Sequence, residues 1–202
     1  MSESPVPAGA PSPARLTVLA GPSGVGKGSV VDLVKQRHPQ VWVSVSVTTR
    51  HPRPGERDGQ SYCFIDEPEF ARMVTAGELL EHDAHLGASY GTPRAPVEQR
   101  LARGVPVLLE IDLYGARQVR RADPGALLVF LSPPSLSELQ RRLAGRGTEH
   151  GERLERRLER ARLEMAASQE FDHTVVNDDL EAAADRLVAL MASSDVPARV
   201  RP

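Results

Sequence analysis

Residues 21–30 read GPSGVGKGSV, a glycine-rich turn carrying one lysine. Glycines let backbone N–H groups converge on phosphate oxygens, and a helix starting at the end of the loop adds the positive end of its dipole. Lys27 would reach the β- and γ-phosphates of a nucleotide as a point charge. The usual pattern is G-x-x-x-x-G-K followed directly by Ser or Thr. Gly21, Gly26 and Lys27 fit it, but Gly28 stands where the hydroxyl belongs and Ser29 comes one place late. The competing reading is a plain glycine turn. The order strand, G-x-x-x-x-G-K, helix favours phosphate binding, which rests on the backbone and Lys27 rather than on a contact between Ser29 and magnesium.

A second group is Ser46, Arg50, Arg53 and Tyr62, within SVSVTTRHPRPGERDGQSY (44–62). Forked guanidinium groups match a phosphate bidentately, and a phenol adds one hydrogen bond. The spacing alone leaves open whether this is an anion site or a solvated loop. A third group is the arginine-rich stretch 141–162. There Leu154, Leu158, Ala161 and Met165 recur at helical spacing, Arg153, Arg157 and Arg160 share another face, and Glu152 and Arg156 form an i,i+4 pair. Interrupting glutamates and missing aromatics argue against a nucleic-acid surface. His82 and His85 flank Asp83 without further ligands nearby, so no metal-ligating residue is assigned. Cys63, between Tyr62 and Phe64, reads as strand packing.

The elements that must position these residues follow from apolar patterning. RLTVLA (15–20) ends at the glycine loop and reads as a buried strand. VPVLLEID (105–112), ALLVFLS (126–132) and HTVVN (173–177) read likewise. Val30, Val31 and Val34 mark one face of a helix stopped by Pro39. Further helices are expected at about 113–122, 135–145, 152–169 and 179–193, two of them capped by Ser135 with Glu138 and Asp178 with Glu181. Buried strands alternating with helices imply an α/β fold with a parallel sheet covered on both faces. Ligands gather beyond the carboxyl ends of such strands, where the glycine loop and Asp112 lie. Residues 44–104 break the rhythm: extended, Pro- and Gly-rich chain, a short helix after Asp66 stopped by Gly77, extended chain again, then a helical RAPVEQRLARG. This reads as a small inserted domain.

The 202 residues suit one domain with an insertion, and a formal charge of −2 gives no overall pull toward nucleic acid or anionic membranes. One cysteine excludes an intramolecular disulfide. No run reaches the roughly 18 apolar residues of a membrane span, and the first 14 residues read as a disordered tail without a secretory signal. The expected location is cytoplasmic.

Taken in order, GPSGVGKGS, SVSVTTRHPRPGERDGQSY, LLEHDAHLGASYGTPR, LLEIDLYGARQV, LAGRG and VVNDDL resemble the blocks of guanylate kinases. The resemblance runs from about Arg15 to Met191, and its TTR-x-PR-x-GE and YGT blocks are far more specific than the glycine loop. It implies transfer of the γ-phosphoryl group of ATP to GMP, with Mg²⁺, on a P-loop NTPase fold. The expected divisions are a disordered tail (1–14), a P-loop core (15–44 and 105–196), a mixed α/β GMP-binding insertion (45–104), a mobile lid region (142–157) and a short tail (197–202). By resemblance, Gly21, Pro22, Ser23, Gly24, Val25, Gly26, Lys27, Gly28, Ser29 and Asn177 lie on the ATP side. Arg50, Arg53, Tyr62 and Tyr90 would hold the GMP phosphate; Ser46, Glu81 and Thr92 would read the guanine, with Asp112 nearby. Lid-region Arg142, Arg146 and Arg157 would contact ATP or the transferred group, completing a catalytic set with Lys27 and Arg50. The expected partners are ATP and GMP, with dGMP a candidate acceptor, and neither nucleic acid nor membrane. No oligomeric state follows from the residues.

Two positions depart from the family. Glu110 stands where Asp is frequent, and Gly28 follows the Gly-Lys-Gly-Thr order seen in adenylate kinases. Three rivals are weaker. A ribose-1,5-bisphosphate kinase would not need Ser46, Glu81 and Thr92. A non-catalytic guanylate-kinase-like module would lack the intact loop, and a regulatory GTPase would carry Asn-Lys-x-Asp.

Overall fold

The structure is a computed structural model that describes residues 14–85, 87–144 and 152–193. Its frame is a five-stranded parallel sheet of β1 (Leu16–Ala20), β2 (Trp42–Val43), β7 (Val107–Glu110), β8 (Leu127–Ser132) and β9 (His173–Val176), in the order β2-β7-β1-β8-β9. Successive side chains of a strand point to opposite faces, and here both faces are covered. One face of the sheet presents Leu19, Leu108, Val129, Leu131 and Val175. These pack with Val30, Val31 and Val34 of α1 (Lys27–Arg37), Leu139 and Leu143 of α5 (Leu136–Ala144), and Leu187 of α7 (Leu180–Ala192). The other face presents Val18, Leu109, Leu128 and Phe130 to Ala116 and Val119 of α4 (Leu113–Ala122) and Val97 of α3 (Arg94–Ala102). Continuous apolar strands such as LLVFLS are what this double burial requires.

The chain leaves the main sheet after Ser44, whose N–H donates to the Leu108 carbonyl, and builds a second, mixed sheet. Its strands are β3 (Val47–Thr48), β4 (Cys63–Phe64), β5 (Leu79–His85) and β6 (Ala88–Pro93), in the order β4-β3-β6-β5, with β5 and β6 antiparallel. Helix α2 (Glu67–Thr75) closes a small core of Val47, Phe70 and Leu79, with Cys63 packed against it. Asp66 caps α2 by accepting from the Glu69 N–H, and Gly77 takes positive φ just past its end. Helix α6 (Glu152–Ala166) continues into a 3₁₀ turn (Ala167–Glu170), with Leu158, Ala161 and Met165 packed inward.

Three expectations change. β7 ends at Glu110, so Asp112 does not close the strand; it caps α4, accepting from the Gly115 N–H at 2.8 Å. The cap of α7 is Asp179, bonded to the Ala182 N–H at 2.8 Å, while Asp178 accepts from Asp179 instead. The sheet also has an edge strand, β2, too short to show in the apolar pattern.

Away from the loops, Asp172 ties three elements: it accepts from Arg120 of α4 and from the Leu128 N–H of β8 at 2.8 Å. Its side chain is only 5% exposed. Asp172→Ala removes the acceptor of the half-buried Arg120 guanidinium and of the Leu128 amide, and we expect it to cost about 2 kcal/mol, read as a lowered Tm.

Candidate active site

The glycine loop runs from the end of β1 into α1. Gly26 has φ 99° and caps the helix. A Cβ there would lie 2.7 Å from the Asn177 amide nitrogen, so both backbone and space require glycine. Lys27 is the first helical residue. Its Nζ donates to the Gly21 carbonyl at 2.6 Å and the Pro22 carbonyl at 3.5 Å, folding the ammonium back over the loop. Burial pushes this ammonium below its ordinary value, while Glu110, Glu164 and Asp112 pull it up.

The loop is braced from outside. The Asn177 amide donates to the Val25 carbonyl at 2.8 Å, and Arg142 donates to the carbonyls of Val25 and Asn177 at 3.2 and 3.1 Å. Glu138 holds Arg142 in turn, at 2.8 Å. Glu164 on α6 accepts from the Ser23 N–H at 3.3 Å and from Arg160 at 2.9 Å, placing a carboxylate on a loop amide. Arg142 and Asn177 therefore support the loop backbone. Arg146 lies outside the described residues, as does the side chain of Arg157; Arg157 itself belongs to α6.

A Cβ at Gly28 would find only the Glu110 Oε1, at 3.8 Å, so the position faces the carboxylate at the end of β7. Ser29 is exposed one residue on. Surrounding protein pushes the Glu110 carboxyl up, with Lys27 and then Lys35 pulling it down.

The second group gathers on the mixed sheet. Arg50 forms a forked pair with Glu56, both bonds 2.9 Å, and lies over the Tyr62 ring at 5.3 Å. Its hydrogen bonds to Glu56 and to Tyr90 raise its pKa despite partial desolvation. Tyr62 and Tyr90 meet edge-on, 6.0 Å between centroids. Glu56 also accepts from the Arg53 N–H at 2.7 Å, which leaves the Arg53 side chain exposed beside it. Ser46 lies at the head of β3, its carbonyl accepting from the Cys63 N–H.

Glu81 of β5 sits opposite Thr92 of β6 and is 5% exposed. The Thr92 hydroxyl donates to Glu81 Oε1 at 2.6 Å, so its one proton is spent on the carboxylate and is not aimed at a ligand. Burial raises the Glu81 pKa to about 7, helped by Asp112 and Asp83 and opposed by Thr92. Between pH 7 and the ordinary value of 4.5, Glu81 is protonated in the fold but ionised in the unfolded chain, so folding gains as pH falls. We expect denaturant titrations of the wild type to show this gain, on the order of 3 kcal/mol, and Glu81→Gln to lack it.

The two groups share one electrostatic neighbourhood. Asp112 acts on both Lys27 and Glu81, and Glu110 on both Lys27 and Tyr62. The sequence assigns no role to Glu56 or Glu164 and gives Glu138 only a place in the helix cap with Ser135, yet each is fastened to a cation in or beside the site. For Glu56 and Glu138 the available signal was an acid close in sequence to an arginine. For Glu164 against Ser23, 141 residues away, there was none.

A five-stranded parallel sheet with a glycine loop and lysine between its central strand and first helix defines a P-loop α/β protein. Similarity to known proteins narrows the class. The family model "Guanylate kinase" matches residues 13–194. A guanylate kinase of Frankia casuarinae is 64% identical over 182 residues, covering 90% of this chain and 99% of that one. One from Thermobifida fusca is 60% identical, covering 92% and 95%. The crystal structure of guanylate kinase from Anaplasma phagocytophilum superposes with a TM-score of 0.73 at 34% identity, covering 89% and 85%. The chain belongs to the guanylate kinase family.

Proposed function

We infer that the chain transfers the γ-phosphoryl group of ATP to GMP, giving ADP and GDP. The observation that carries this beyond family membership is Glu81: a buried carboxylate, oriented by Thr92, in the same electrostatic neighbourhood as the phosphate loop. Guanine presents N1–H and the 2-amino group as adjacent donors, which one carboxylate accepts together. Adenine offers an acceptor at N1 and has no 2-amino group, so it leaves Glu81 unpaired, a mismatch that supports roughly 10⁴-fold discrimination.

In this reading the core (15–44 and 105–196) takes ATP, the insertion (45–104) takes GMP, and the region 142–157 closes over both. The attacking atom is a phosphate oxygen of GMP, already ionised at neutral pH, so no general base is needed. The work is to bring two anions together and stabilise the transferring charge. Loop amides and Lys27 hold the ATP phosphates. Arg50, Arg53, Tyr62 and Tyr90 hold the acceptor phosphate, with Glu56 keeping the Arg50 fork oriented. Ser46 would donate to the base, while Thr92 acts through Glu81. Arg142 acts through the loop it braces; Arg146 and Arg157 would face the phosphoryl group when the lid region closes and excludes water.

The Glu110 carboxylate, which faces Gly28 at the start of α1, suits a hard cation such as Mg²⁺, which prefers one or two carboxylates together with substrate phosphates, and the Ser29 hydroxyl one residue on would be a second oxygen donor. Such an ion would neutralise phosphate charge.

The test is direct: purified chain is incubated with ATP, Mg²⁺ and either GMP, AMP or a sugar phosphate, and ADP and GDP are followed. GDP formation with strong preference for GMP over AMP is expected. Absence of GDP would overturn the reading.

A further inference from the structure

Gly115 is the third residue of α4 and is buried, yet its backbone does not adopt a positive φ. Alanine would suit that helical position better than glycine on intrinsic propensity. What keeps a side chain out is space. A Cβ at Gly115 would lie 2.6 Å from Glu81 Oε2, 3.1 Å from Glu81 Cδ and 3.3 Å from Ile111 Cδ1. The atoms in the way are those of the carboxylate itself.

The helix has little freedom to move off. Gln118, one turn further along α4, is bonded twice to the main chain of His82, next in sequence to Glu81. It accepts from the His82 N–H at 3.3 Å and donates to the His82 carbonyl at 2.7 Å. The first turn of α4 is held from the other end, where Asp112 accepts from the Gly115 N–H. On the opposite side Thr92, fully buried, holds Glu81 Oε1 at 2.6 Å. The carboxylate thus sits between a hydroxyl that grips one oxygen and a helix whose missing side chain leaves room for the other.

We propose that Gly115 is a positioning residue for acceptor specificity: its lack of a side chain sets where the Glu81 carboxylate stands, and thereby whether guanine is chosen over purines lacking the 2-amino group. This rests on the reading of Glu81 as the base-recognising group. A methyl group at 115 pushes the carboxylate off its place without touching the glycine loop, Lys27 or the arginines of the mixed sheet. The effect therefore falls on acceptor recognition and spares the donor side.

Wild type, Gly115→Ala, Glu81→Asp and the double variant are compared with ATP as donor and GMP or inosine monophosphate, which lacks the 2-amino group, as acceptor. For Gly115→Ala we expect kcat/KM with GMP to fall about 10²-fold, mostly through KM, and the preference for GMP over inosine monophosphate to collapse. ATP affinity should change less than threefold, and Tm should fall modestly, because the crowded contact with Glu81 outweighs the better helix propensity of alanine. Adding Glu81→Asp shortens the carboxylate and makes room for the methyl, so the double variant should be better with GMP than the two single losses multiplied together.

Retention of KM and of acceptor preference in Gly115→Ala would overturn the proposal. So would strictly multiplicative losses in the double variant. If Gly115→Ala does not fold, the double variant decides: recovered folding supports the contact with Glu81, and failure of both overturns it. A wild type that makes GDP without preferring GMP over inosine monophosphate defeats the reading of Glu81 and this proposal together. Intact wild-type preference that survives Gly115→Ala defeats the proposal alone.

Discussion

Lys27→Ala is expected to lower kcat by about 10²–10³-fold or more at saturating ATP and GMP, while the protein stays folded. The ammonium is the one cation at the glycine loop that enters from within the loop itself, bonded to the Gly21 and Pro22 carbonyls with Glu110, Glu164 and Asp112 around it. Those carbonyl bonds park the charge. Phosphate oxygens are stronger acceptors than carbonyls, so a bound nucleotide draws Nζ outward to the charge that develops during transfer. Stability should change little for two reasons that oppose each other. The variant loses two hydrogen bonds, but it also relieves the cost of a buried ammonium, seen in its lowered pKa. Steady-state rates and a thermal melt on the same preparation provide the check. A folded Lys27→Ala protein with near-wild-type turnover would sink the proposed mechanism.

The same residues show why parts of the molecule are readable from the chain and others are not. A strand buried on both faces is mostly apolar, so VLLE, LLVFLS and LTVLA stand out, and α4, α5 and α7 follow within a residue of their expected limits. Local chemistry reads well too: Asp66 and Ser135 cap the helices their patterns foretell, at 2.9 and 3.1 Å. Adjacent equivalents do not resolve, which is why Asp178 and Asp179 exchange roles. Edge strand β2 is two residues long and carries no periodicity.

The site divides in the same way. Its motifs bring Gly21–Ser29, Arg50, Tyr62, Glu81 and Thr92 into view, because each block carries its own residue types. The supporting contacts are tertiary. Asn177 and Arg142 under the loop, Glu164 on Ser23 and Gly115 against Glu81 join residues tens to more than a hundred positions apart. No spacing rule anticipates that a hydroxyl expected to face the base, Thr92, gives its proton to Glu81 instead.

That bond leads to the second large effect. Glu81→Gln should lower kcat/KM for GMP by roughly 10³-fold or more and reduce the preference for GMP over AMP in similar proportion. The substitution conserves shape and hydrogen-bonding reach, so what it tests is the acceptor character of both oxygens. With Thr92 donating to one oxygen, the amide must place its carbonyl toward Thr92 and its NH₂ toward the ligand. There it confronts N1–H and the 2-amino group of guanine, donor against donor. Turning the amide over only moves the conflict to the Thr92 hydroxyl, which is fully buried and has no water to fall back on. The variant should nonetheless be at least as stable as the wild type at pH 8, because it removes a carboxylate whose pKa of about 7 records the cost of burying its charge. Lost selectivity in a protein of undiminished stability separates recognition from folding. A Glu81→Gln protein that still prefers GMP over AMP as strongly as the wild type would show that the base is read elsewhere.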